Sequence, residues 1–129
     1  MAKLRVATAQ FPVSASIDRN LRYMRQLTQR AKAQRADVVH FSETCLGGYA
    51  GAEFKSWDGY DWAGLKAAED ELRQLAKKSQ IGLVYGTNHR ISSDGVGDGL
   101  CGAGAVAAAG AKVLAECQFM QPHKRFARR

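Results

Sequence analysis

Residues 35–49 read RADVVHFSETCLGGY, running from Arg35 through Glu43 to Tyr49. Val38, Val39 and Phe41 make a short apolar run of the kind buried on both faces of a parallel sheet. The run delivers one carboxylate, Glu43, to its C-terminal end, and Gly47-Gly48 then loosen the chain into a loop. In alternating β/α sequences, the loops beyond the carboxyl ends of parallel strands are where ligands bind. Phe41, Leu46 and Tyr49 flank Glu43, so partial desolvation is expected. That raises a carboxylate toward the range of a general base. A capping or salt-bridged glutamate at a strand exit would carry the same local signature.

Working outward, Lys3–Gln10 alternates and contains Val and Thr, which reads as a first strand ended by Pro12. Ser14 or Ser16 can cap a helix over about Ile17–Gln34, whose Ile17, Leu21, Met24, Leu27 and Ala31 form one apolar stripe. Such a stripe is core packing. After the Glu43 strand, residues 47–60 form a loop rich in glycine and aromatics, with Tyr49, Phe54, Trp57 and Tyr60. A second helix is expected from about Asp61, its N-cap, to Ser79, with Leu65, Ala68, Leu72, Leu75 and Ala76 inward. Glu69-Asp70-Glu71 reads as a solvated face. A third strand runs from Gln80-Ile81 to about Thr87, with His89 just beyond as a surface residue. Strand–helix–strand–helix–strand is the α/β pattern with right-handed crossovers.

Several pieces of this frame resemble the nitrilase superfamily of carbon–nitrogen hydrolases. They are Leu4-Arg-Val-Ala-Thr-Ala-Gln10 with Phe11-Pro12, Asn20-Leu21, Ala36–Glu43 with Gly48-Tyr49 behind it, and Ile81–Thr87. The match spans roughly residues 3–92 and is specific as a set; Ser42 stands where proline is commoner. The resemblance implies the N-terminal half of an α-β-β-α sandwich and a Glu–Lys–Cys triad acting on an amide, carbamoyl or nitrile substrate. It implies no metal or organic cofactor, and homo-oligomers built by pairing sheets. Glu43 is then the catalytic glutamate, and Tyr49, Phe54 and Trp57 are candidate lining of the substrate site. The same aromatics would equally seal the edge between helix and sheet.

Beyond Ser92 the composition shifts. Residues 94–112 are almost entirely Gly, Ala, Asp and Val, so 1–92 reads as the hydrolase part and 93–129 as a degenerate hairpin with a basic tail. A helix over Ala103–Glu116 is the competing reading on propensity alone; a poor β-hairpin is preferred. Gly97–Gly102 satisfies G-x-G-x-x-G but lacks the βαβ closure that gives the pattern its phosphate-cradling meaning. The family's lysine falls on Phe119 without gaps, or on Lys124 with a short insertion; Lys124 keeps the chemistry. Cys45, Cys101 and Cys117 all precede the position of the family's nucleophile, and family domains run about twice this length. The expectation is therefore a chain cut short or read out of frame near residue 94, and inactive alone.

The formal charge of +7 falls to +3 without the four basic residues of the tail, Lys124, Arg125, Arg128 and Arg129. That distribution suits weak polyanion contact rather than sequence-specific nucleic-acid binding. A non-catalytic α/β module contacting polyanions through this tail is the rival reading. Three cysteines give no disulfide framework, and no apolar run approaches a membrane span, so a cytoplasmic location is expected.

Overall fold

The computed structural model describes residues 3–90, 100–107 and 114–118. Five strands and two helices follow in the order β1 (Val6–Ala9), α1 (Ile17–Ala33), β2 (Val38–Phe41), α2 (Trp62–Ser79), β3 (Gly82–Arg90), β4 (Leu100–Ala107) and β5 (Leu114–Gln118). They form one sheet ordered β1-β2-β3-β4-β5. The first three strands are parallel, with Val6 opposite Val38 and Val38 opposite Gly82. The last three form an antiparallel meander. The two crossovers step in the same direction, from β1 to β2 to β3, and α1 and α2 pack on each other, the arrangement that crossovers of one hand produce.

Both helices form where their sequence places them. The Ser16 side chain accepts a hydrogen bond from the Arg19 N–H and caps α1. Asp61 does the same for α2 through the Gly64 N–H. Of the expected stripe on α1, Ile17, Leu21, Met24 and Ala31 are buried and Leu27 packs at the margin. Leu65, Ala68, Leu72 and Ala76 are buried on α2, against Val39, Phe41, Leu83 and Tyr85 of the sheet. Ser16→Ala is expected to cost about 1 kcal/mol, because one N–H of the first turn loses its acceptor. A lower urea midpoint with an unchanged m-value would show it.

Two expectations need correction. Strand β2 is buried on one face only: Val39 and Phe41 are buried, whereas His40 is exposed and Val38 only partly covered. With both helices on one side, the alternate residues of β1 to β3 (Val6, Thr8, Val38, His40, Val84) fall on a face that no described element covers. Val6 accordingly remains 55% exposed. Strand β3 continues to Arg90, which puts His89 on the strand. The Glu69–Glu71 cluster is the solvated face expected at Asp70 and Glu71, which are exposed with Glu71 paired to Arg25 of α1; Glu69 is partly covered and accepts from Thr87 Oγ1 at 2.8 Å.

The described part of the Gly/Ala-rich stretch, Leu100–Ala107, is strand rather than helix. β4 pairs with β3 over eight positions, from Leu83 opposite Ala107 to Arg90 opposite Leu100. Gly102 therefore lies inside a strand, and the G-x-G-x-x-G pattern opens no helix that could hold a phosphate. No described helix is long and apolar enough to cross a membrane.

Candidate active site

Parallel pairing sends the carboxyl ends of β1, β2 and β3 to one edge of the sheet. At that edge Phe41 is the last residue of β2, and residues 43–47 form a turn. Glu43 sits in this turn. Its side chain is exposed, which corrects the expected desolvation: the apolar neighbours Phe41 and Leu46 are themselves buried, while Glu43 stays in solvent. Glu43 makes no hydrogen bond or ion pair with another described residue, so the capping and salt-bridge alternatives have no partner there.

A polar network fixes the turn that follows. Asn20, fully buried on α1, donates from Nδ2 to the Leu46 carbonyl at 3.0 Å and to the Ser14 carbonyl at 2.7 Å. Its Oδ1 accepts from the Ser14 N–H at 2.9 Å. Asn88, buried on β3, donates to the Gly48 carbonyl at 3.0 Å and to the Tyr60 hydroxyl at 3.1 Å. That hydroxyl in turn donates to the Gly47 carbonyl at 2.8 Å. Side chains on α1, on β3 and in the loop before α2 thus satisfy carbonyls that a glycine-rich loop cannot satisfy for itself. In the sequence Asn20 stands out only through the Asn-Leu resemblance, and nothing marks Asn88. A buried amide within an apolar helical stripe was the signal available.

Of the three aromatics named as lining, Phe54 and Trp57 pack into a cluster with Tyr60 and Trp62. Ring centroids are 4.6 Å apart for Phe54–Trp57 and 5.4 Å for the stacked Trp57–Trp62 pair. Tyr49 stands apart, 38% exposed, one residue beyond Gly48. A solvent-open cavity of about 410 Å³ lies between this cluster and the N-termini of both helices, bordered by Ser16, Asp18, Phe54, Tyr60 and Asp61. Glu43, Tyr49 and Trp57 do not border it, so it is separate from the Glu43 turn. Lys124 and its alternative Phe119 lie outside the described residues.

Cys45 is two residues from Glu43 but is fully buried, with Sγ 4.0 Å from Met24 Sδ and 3.8 Å from the Gly86 carbonyl. Burial pushes its thiol up from 9.0 to about 12, so it carries no thiolate near neutrality. Burial likewise raises the Tyr60 hydroxyl. In the unfolded chain these groups lose protons first, so the unfolded state binds fewer protons than the folded one and stability falls as pH rises. For Cys45 the loss runs from about pH 9 to about 12. Urea midpoints measured across this window should fall, and Cys45→Ala should flatten part of the slope.

Residues 5–115 match the family model described as carbon–nitrogen hydrolase. The chain belongs to the carbon–nitrogen hydrolases. Its fold is that of solved amidases from Nesterenkonia sp. AN1. A cysteine-to-alanine mutant in complex with butyramide superposes with a TM-score of 0.71 at 23% identity, covering 92% of this chain and 43% of that one. A glutamate-to-glutamine mutant, showing Michael addition of acrylamide at its active site cysteine, gives 0.70 at 20% identity over 91% and 44%. A cysteine-to-serine mutant described as from the nitrilase superfamily gives 0.70 at 21% over 90% and 42%. At these identities the likeness is one of fold, and this family member spans less than half the length of each amidase. A comparison with curated proteins gave no match.

Proposed function

We propose that this chain supplies the general base of a cytoplasmic hydrolase that cleaves non-peptide carbon–nitrogen bonds in small amide, carbamoyl or nitrile substrates. Glu43 is that base. The observation that carries the proposal is its placement: an accessible carboxylate, paired with no described residue, at the carboxyl end of a parallel strand, in a chain matching the hydrolase family over residues 5–115. In the triad chemistry Glu43 takes the proton of a cysteine thiol, and the thiolate attacks the substrate carbon. A lysine, for which Lys124 is the candidate, and a backbone N–H stabilise the charge that develops. Ammonia or an amine leaves, and water cleaves the thioester. Cys45 is unsuited to be that nucleophile, because its thiol is buried and held protonated.

Tyr49 is proposed to border the substrate, with Phe54 and Trp57 walling the loop behind it. Homo-oligomers and reaction without a cofactor complete the proposal. Ammonia release from butyramide and acrylamide, both bound by the Nesterenkonia amidase mutants, tests it. The 129-residue chain alone is expected to release none, and turnover by it would overturn that expectation. Grafted in place of the matching segment of the Nesterenkonia amidase, it should support release that depends on Glu43. Release indifferent to Glu43→Gln would sink the proposed role.

A further inference from the structure

We infer that Gly86 and Thr44 are positioning residues for Glu43, a reading that rests on Glu43 being the base proposed above. The ladder between β2 and β3 is interrupted beside Glu43. The Gly86 N–H donates to the Ser42 carbonyl at 3.4 Å, and the Leu46 N–H donates to the Gly86 carbonyl at 3.3 Å. Residues 43–45 are therefore a three-residue excursion that leaves the ladder at Ser42 and rejoins it at Leu46 around a single glycine.

Two features give the excursion its path. A Cβ at position 86 would stand 2.8 Å from the Glu43 Cα and carbonyl carbon, and closer still to the Thr44 nitrogen. Side-chain Cβ atoms essentially never come within 3.0 Å of other heavy atoms, and here the atoms in the way are backbone. Leu83 and Tyr85 point to the helices, so position 86 projects to the opposite face, and the Glu43–Thr44 backbone lies over that face. Thr44 then takes φ +48°, a left-handed conformation that a β-branched residue adopts only under constraint. Its backbone carbonyl accepts from the Gly48 N–H at 2.9 Å. Its buried hydroxyl has no hydrogen-bond partner among the described residues. Close seating on Gly86 and a forced reversal at Thr44 fix where the Glu43 Cα stands, and thus where its carboxylate can reach.

The test is made on the full chain by NMR, with Glu43→Gln assigning the Glu43 carboxyl resonance. Gly82→Ala is the control, since the tightest contact of a Cβ there is with the end of the Val38 side chain, at 3.1 Å, and the nearest backbone atom, the Asp37 oxygen, stands at an ordinary 3.6 Å. Gly86→Ala should displace the Glu43 carboxyl resonance and the amides of residues 43–46 well beyond the control. It should also speed exchange of the Leu46 amide by about tenfold or more. Adding Thr44→Gly, which lets the turn take another path, should return the Glu43 resonance toward its original position. Equal effects of Gly86→Ala and Gly82→Ala, or no recovery in the double variant, would overturn the inference. If Gly86→Ala fails to fold, Thr44→Gly alone decides. A shifted Glu43 resonance with faster Leu46 exchange supports the inference, and unchanged values overturn it. None of these readouts needs substrate, so unchanged kinetics in Glu43→Gln would remove the base without altering them.

Discussion

Glu43→Gln is expected to lower amide hydrolysis by about 10²–10⁴-fold in an amidase completed around this chain, the range a positioned general base contributes. Glutamine keeps the shape and the hydrogen-bonding reach of the side chain but cannot take a proton. The loss should therefore fall on kcat, with KM little changed, because proton removal belongs to the transition state rather than to ground-state binding. Glu43 is exposed and pairs with no described residue, so the substitution should leave stability within about 0.5 kcal/mol. Ammonia-release kinetics and urea unfolding on the same preparation separate the two effects. A rate within tenfold of the parent would mean that another group takes the proton.

Asn20→Ala should be the most damaging polar substitution for the fold, at about 3 kcal/mol, as several buried or partly buried partners each lose a hydrogen bond worth about 1 kcal/mol or more. The Leu46 and Ser14 carbonyls lose their donor, and the Ser14 N–H loses its acceptor. Asn20 itself is fully buried, so the smaller side chain leaves a void between α1 and the turn after Glu43. A drop in the urea midpoint together with faster amide exchange over residues 44–48 would identify both losses. An effect no larger than that of Ser16→Ala, about 1 kcal/mol, would mean that water replaces the amide at little cost.

The local pattern settled the elements. Spacing in α1 and α2 marks which side chains leave water, and Ser16 and Asp61 mark where each helix begins, because capping and amphipathicity act within one or two turns. The β-α-β-α-β order and the position of Glu43 at the exit of β2 followed from the same signals. The sequence alone left β4 open between helix and hairpin, since its alanines favour helix while its glycines disfavour helix and strand alike. Eight positions of pairing with β3 decide it. Only the tertiary structure placed Asn20 against Leu46 and Asn88 against Gly48, contacts across 26 and 40 residues. Likewise, only the fold showed that Glu43 is accessible, that one face of β2 is uncovered, and that position 86 has no room for a side chain beside Glu43 and Thr44. The division has one physical cause. Periodicity and capping are interactions among neighbours in the chain, whereas the accessibility of a carboxylate and the space at a glycine depend on distant segments brought alongside.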